Sequence, residues 1–139
     1  MEPVMARVVV ADDNTSMTGA LKVILEIWGW EVVVAHDGMA AVTAIRQARP
    51  TVALIDIGLP RLDGLEVARL LRAEGVAPRL LVALSGYGEE RDRRRSRQAG
   101  YDTHLVKPIE PEVLRSTLAS VWGQGPSDHA AGTDARPRL

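Results

Sequence analysis

Four short stretches of the chain carry residue types suited to one kind of chemistry: Asp12-Asp13, Asp56, Ser85-Gly86 and Lys107-Pro108. Clustered carboxylates repel and raise one another's pKa unless a cation sits among them. An oxygen-only set with no His or Cys beside it suits a hard ion such as Mg²⁺ or Mn²⁺. With Asp56 attacking a phosphoryl donor, such an ion and the Lys107 ammonium would neutralise the incoming oxygens, and the Ser85 hydroxyl would donate a hydrogen bond to one of them. Lysine is scarce here: of 17 basic residues, 15 are arginine and the others are Lys22 and Lys107. Lys107 therefore runs against the habit of the chain. With no cysteine, disulfide frameworks, thiolate metal sites and cysteine nucleophiles are excluded.

These residues need a frame that brings them together, and the hydrophobic pattern describes one. Residues 8–11 are a β-branched apolar run ending on Asp12-Asp13-Asn14, which reads as a buried strand and a polar turn. Met17, Ala20, Leu21, Ile24, Leu25 and Trp28 then repeat at helical spacing, with Gly29 as the stop. Residues 32–35 form a second strand, and Asp37-Gly38 leads into a helix over 39–49 that Pro50 ends. A third strand at 52–55 ends on Asp56. After the loop 58–64, residues 65–73 predict a helix with Val67, Ala68, Leu70 and Leu71 inward. Residues 80–84 predict a strand, 89–98 a charged helix, 104–106 a short strand and 112–122 a last helix with Val113, Leu114, Leu118, Val121 and Trp122 on its apolar side.

Five β-then-α alternations, with strands apolar throughout, predict a doubly wound α/β domain: a parallel sheet with helices on both faces. Ligands bind such sheets beyond the carboxyl ends of the strands. The chemical residues all sit there, so three carboxylates, one hydroxyl and one ammonium are expected to converge on one crevice. A simpler reading stays open at single positions. Asp12-Asp13-Asn14 are all types that cap a helix, and Asp56 and Ser85-Gly86 are all types that make turns.

Composition bounds the rest. The 139 residues fit one domain of ordinary size, expected over 6–122, with no room for a second catalytic domain. Residues 123–139, rich in Gly, Pro, Ser, Asp and Ala, are expected to be a flexible tail or linker. A formal charge of -1 gives no bulk asymmetry toward nucleic acid or anionic membrane. No apolar run is long enough to span a bilayer and the N-terminus lacks a signal-peptide layout, so a soluble cytoplasmic protein without membrane insertion is expected. Arg91, Arg93, Arg94, Arg95 and Arg97 are interleaved with Glu89, Glu90 and Asp92 and with no aromatic platform, so a solvated helix face is expected and not a nucleic-acid site. Trp28 and Trp122 are expected to pack at helix ends, with Trp30 partly exposed and His36 and His129 structural or solvent-facing.

Asp12-Asp13, the run Asp56-Ile57-Gly58-Leu59-Pro60-Arg61-Leu62-Asp63-Gly64, Ser85-Gly86 and Leu105-Val106-Lys107-Pro108, in this order, resemble the receiver domain of two-component response regulators. The resemblance covers about residues 6–122. It implies a flavodoxin-like five-stranded parallel sheet of order 2-1-3-4-5. It implies that Asp56 is the phosphoacceptor and that Asp12 and Asp13 are the metal-binding acidic pair, with the Gly58 backbone carbonyl completing the ion's protein ligands. Ser85 matches the switch Ser/Thr, and Lys107 the family lysine, whose bond to Pro108 is usually cis. The implied function is phosphorelay signalling: Asp56 takes a phosphoryl group from a phosphohistidine with Mg²⁺ and the domain switches, a self-catalysed acceptor with slow autodephosphorylation and not an enzyme in the turnover sense.

The resemblance also implies partners and shows departures. A sensor histidine kinase or histidine phosphotransfer domain would supply the phosphoryl group, and a downstream protein would read the face made by the fourth helix, fifth strand and fifth helix. Homodimerisation stays open. Gly86-Tyr87-Gly88 and Ala99-Gly100-Tyr101-Asp102 most resemble receivers of hybrid sensor kinases and single-domain regulators, so no direct DNA binding is expected. The family usually has Tyr or Phe three residues before the lysine. Here His104 stands there, a smaller, polar and titratable switch partner for Ser85, so weaker or pH-sensitive coupling is expected. Gly86 opens the site where Ala is usual, while Tyr87 would shield it. Two other functions compete. A phosphorylation-independent interaction module would not need the acidic set or Lys107. A Mg²⁺-dependent phosphatase would want an acid/base Asp two residues after its nucleophile, where this chain has Gly58.

Overall fold

The structure, a computed structural model, describes residues 6–86 and 90–122. The expectations for Tyr87, Glu89, His129 and the tail 123–139 lie outside the described residues. Five strands and five α-helices alternate along the chain: β1 (Arg7–Ala11), α1 (Thr15–Ile27), β2 (Glu31–Ala35), α2 (Gly38–Ala48), β3 (Val52–Asp56), α3 (Gly64–Glu74), β4 (Leu80–Ser85), α4 (Glu90–Ala99), β5 (Thr103–Val106) and α5 (Pro111–Ala119), closed by a short 3-10 turn, Ser120–Trp122. The strands form one parallel sheet in the order β2-β1-β3-β4-β5, the flavodoxin-like arrangement.

Because neighbouring side chains on a strand point to opposite faces, each buried strand serves two cores. Val9, Ala11, Ala53, Ile55, Leu81 and Ala83 meet α2, α3 and the end of α4 on one face. Val8, Val10, Val52, Leu54, Val82 and Leu84 meet α1 and α5 on the other. Pairing sets Asp56 beside Leu84 and Ser85 beside Val106, so the polar strand ends come out at one rim of the sheet.

Helix boundaries follow local chemistry. Asn14, Asp37 and Asp63 each accept a bond from a free amide at the start of α1, α2 and α3, and Gly29 and Gly75 take positive φ just past α1 and α3. Some inward assignments differ from the expectation. The α3 stripe runs through Leu65, Val67, Ala68 and Leu71, which puts Leu70 on the helix flank, exposed. The α5 stripe runs through Leu114 and Leu118 to Val121, leaving Val113 and Trp122 exposed at their edges. Trp30 is buried, not partly exposed, because it stacks on Trp122 with ring centroids 5.9 Å apart and lies under the half-exposed indole. Trp28 packs at the end of α1 as expected, with Arg115 over its ring.

Two glycines permit close approaches that fix the loop after β3. A Cβ on Gly38 would collide with the Leu62 carbonyl, and one on Gly64 would lie 2.5 Å from the Asp56 carbonyl oxygen and the Ile57 Cα. Gly64 donates to the Ile57 carbonyl at 3.0 Å and Gly38 to that of Pro60 at 3.1 Å, so both helix starts are tied to this loop. Gly38→Ala is expected to lower unfolding free energy by about 2 to 4 kcal/mol in urea titrations, because backbone cannot yield as a side chain does. Gly19→Ala, on the open face of α1 with nothing near its Cβ, should raise it by about 0.5 to 1 kcal/mol.

Candidate functional site

At the rim, the first question is whether Asp12-Asp13-Asn14 merely cap α1. Asn14 does the capping, accepting from the Met17 amide at 3.0 Å, which leaves the two aspartates for other work. Asp12 is wholly buried. Its Oδ1 accepts from the Asn14 amide at 2.9 Å, and its Oδ2 lies 2.6 Å from Lys107 Nζ. That ion pair is close but poorly directed, so among the described residues Oδ2 has no hydrogen-bond partner despite complete burial. Asp13 is exposed in the turn after β1.

Asp56 closes β3. The Gly58 amide donates to its Oδ1 at 2.9 Å, which orients the carboxylate, and Lys107 Nζ stands 3.4 Å from its Oδ2. One oxygen from each of Asp12, Asp13 and Asp56 falls within 4.8 Å of the others, a spacing at which three carboxylates could share a cation. An orphaned buried oxygen, three converging carboxylates and an oxygen-only donor set fit a hard divalent ion. Lys107 reaches the cluster from the turn after β5, where its bond to Pro108 is cis and its amide donates to the Ser85 carbonyl at 2.8 Å. Burial works against the ammonium's charge, but the close contact with Asp12 and the fields of Asp56 and Asp12 outweigh it, so the Lys107 pKa is raised.

Ser85, at the end of β4, is buried, with its Oγ 2.8 Å from His104 Nε2. The structure thus brings Asp12, Asp13, Asp56 and Lys107 around one point, with the Gly58 amide on Asp56 and with Ser85 joined to His104 at the neighbouring strand ends. Two residues were missed. Tyr101 is buried and its hydroxyl donates to the Gly64 carbonyl at 2.7 Å, holding the start of α3 against the Asp56 backbone. Burial first, then the carboxylates of Asp63 and Asp56, push its phenol far above the ordinary tyrosine range. The signal was an aromatic two residues before a strand. Ser96 is buried in α4, its Oγ 3.4 Å from His104 Nδ1. The signal there was one small residue inside an arginine run.

The segment carrying Tyr101 and His104 is itself pinned. Arg72 of α3 donates to the Gly100 carbonyl and pairs with Asp102, and Asp102 accepts from the Leu81 amide at 2.8 Å.

Lys107→Met leaves three carboxylates without their near cation and is expected to cost about 1 to 3 kcal/mol at neutral pH, read by urea unfolding. Because the Lys107 pKa is raised by folding, its contribution is fully present below the ordinary lysine value and should fade only as pH rises past it.

Comparison with known proteins gives one family. Residues 8–119 match the response regulator receiver domain. The DNA-binding response regulator MtrA of Mycobacterium tuberculosis is 33% identical over 114 residues, which are 82% of this chain and 49% of MtrA. Among solved structures, the chemotaxis response regulator CheY4 of Vibrio cholerae superposes with a TM-score of 0.79 at 28% identity, covering 85% of this chain and 99% of that one. The Francisella response regulator 1452 receiver domain gives 0.78 at 26%, covering 84% and 96%. The chain spans about half the length of the curated relatives it matches. Those relatives are DNA-binding regulators, so the expectation of no direct DNA contact finds no support in them. No helix among the described residues is long and apolar enough to cross a membrane.

Proposed function

The chain belongs to the response regulator receiver domain family of two-component signalling, and from that premise we propose that Asp56 is its phosphoacceptor, taking a phosphoryl group from a phosphohistidine on a sensor histidine kinase or phosphotransfer domain. The observation that carries this is the buried Asp12 Oδ2, without a hydrogen-bond partner among the described residues, in a cluster with Asp13 and Asp56 that Lys107 only partly neutralises. Asp12, Asp13, Asp56 and the Gly58 backbone carbonyl would hold Mg²⁺ or Mn²⁺. Bound there, the ion neutralises charge on the phosphoryl oxygens and on the three carboxylates.

The remaining work falls to the chain itself. The Gly58 amide holds Asp56 Oδ1, presenting the carboxylate for in-line attack on phosphorus. The new bond from an Asp56 oxygen to phosphorus forms as the donor's P–N bond breaks, and the imidazole leaves with the electron pair. Lys107, already beside Asp12 and Asp56, receives the negative phosphoryl oxygens, and Ser85 donates its hydroxyl to one of them. Water later attacks phosphorus, breaks the acyl phosphate P–O bond, releases inorganic phosphate and restores the Asp56 carboxylate. The added charge draws Ser85 and Lys107 inward and alters the α4–β5–α5 face, where a downstream partner would read it. A cytoplasmic location fits a kinase-fed switch. The complete acidic set and Lys107 favour this chemistry over a phosphorylation-independent module, and Gly58 favours it over phosphatase turnover.

Intact-mass spectrometry after incubation with acetyl phosphate and Mg²⁺ is expected to show one phosphoryl adduct, absent in Asp56→Asn and after EDTA. Mg²⁺ at a hundredfold excess over its Kd should stabilise the fold by about 2.7 kcal/mol, seen as a raised Tm. Asp13→Asn should remove most of that gain while leaving the buried Asp12–Lys107 pair in place. Lack of any adduct together with no Mg²⁺ effect on Tm would favour the phosphorylation-independent module.

A further inference from the structure

A chain of side-chain contacts leads from Ser85 away from the carboxylates to α4. Ser85 Oγ lies 2.8 Å from His104 Nε2, and His104 Nδ1 lies 3.4 Å from Ser96 Oγ. Ser96 donates its hydroxyl proton to the Arg93 carbonyl at 3.0 Å, so a lone pair, not a proton, faces the imidazole. This assigns the imidazole proton to Nδ1 and leaves Nε2 as an acceptor. Ser85 then donates to His104. A serine has one hydroxyl proton, and one given to His104 is withheld from a phosphoryl oxygen on Asp56.

We propose that His104 is a positioning residue that sets the direction of the Ser85 hydroxyl: neutral, it holds the serine proton away from Asp56; protonated, its Nε2–H donates to Ser85 Oγ and turns that proton toward the phosphoryl group. The inference rests on Asp56 being the phosphoacceptor. Protonation of His104 and occupancy of Asp56 then favour each other, and by linkage each tightens the other by the same factor.

The surroundings allow such a response. Among the described residues, the charged groups facing His104 come from α4: Arg93, and Asp92, whose carboxylate lies 3.9 Å from Arg95. On the other side β4 is uncharged along Leu80–Ser85, and β5 is an edge strand whose remaining residues, Thr103, Leu105 and Val106, carry no charge. Lys107 follows, with its ammonium turned to Asp12 and Asp56. Burial and then Arg93 hold the imidazole below its ordinary value against the opposing pull of Asp92, so the neutral form prevails at pH 7. A phosphoryl group beyond Ser85 adds negative charge and pulls the other way.

The test uses the full chain labelled with ¹⁵N-histidine, titrated by NMR between about pH 5 and about pH 8, the range in which imidazole titrates, with and without beryllofluoride and Mg²⁺. The His104 signals are those lost in His104→Gln, which keeps a polar side chain that cannot titrate. They are expected to report a proton on Nδ1 in the free protein and a titration moved upward by the analogue. Beryllofluoride affinity should rise toward low pH by about 5-fold or more beyond any change in His104→Gln, the lower end of ordinary coupling between sites. Ser96→Ala, which removes the acceptor of the Nδ1 proton, should weaken the Nδ1 preference in a chain that still binds the analogue. A proton on Nε2 in the free protein, or the wild-type pH profile in His104→Gln, would overturn the proposal. Beryllofluoride failing to bind at every pH, with no acetyl phosphate adduct, would instead overturn the phosphoacceptor reading on which it rests.

Discussion

Asp12 is a carboxylate with no solvent exposure just past the end of a central strand, and one of its oxygens has no hydrogen-bond partner among the described residues. Burying a charge that way is costly unless a counter-charge stands beside it. Lys107 supplies one, but among the described residues a single ammonium faces three carboxylates, so the site there retains an excess of negative charge among oxygens already in place. The rest of the architecture keeps this arrangement from relaxing. Asp12 follows β1, Asp56 ends β3 and Lys107 follows β5, three strands of one hydrogen-bonded sheet, so the backbone positions that carry these side chains are fixed by the parallel ladder.

Rigidity is unevenly distributed around that point. The loop after β3 is gripped by Gly38 on one side and by Gly64 and Tyr101 on the other, which fixes the Asp56 backbone. In contrast, α4 buries only Ser96 and Ala99. A helix so polar gains little from the core and can adjust at little cost, whereas α2 and α3 are anchored by several apolar side chains each. His104 lies where these regimes meet, touching Ser85 on the fixed side and Ser96 on the lightly held one. A charge placed on Asp56 therefore has a short physical route to the surface.

The fold was legible because its strands are apolar on both faces and its helices end at recognisable caps, Asn14, Asp37 and Asp63 among them. The candidate site was legible because its residues stand at or just past strand ends, and a parallel sheet brings those ends to one rim. What the pattern did not carry were contacts between distant segments. Leu70, Val113 and Trp122 are apolar by type but lie at the margins of their helix stripes, and Trp30 is covered through a stacking partner 92 positions away in sequence, which helical periodicity does not encode. Tyr101 and Ser96 were missed for the same reason: the first acts on Gly64 across the sheet's helical layer, and the second is set apart only by which side of a charged helix it faces.

The central claim is that one aspartate at the end of β3 becomes an acyl phosphate. Borohydride reduces an aspartyl phosphate to homoserine, so peptide mass spectrometry after phosphorylation and reduction reads the modified position directly. Homoserine at position 56 alone is the predicted result. Homoserine at another aspartate, or none in a folded chain that has been given donor and Mg²⁺, would contradict the account.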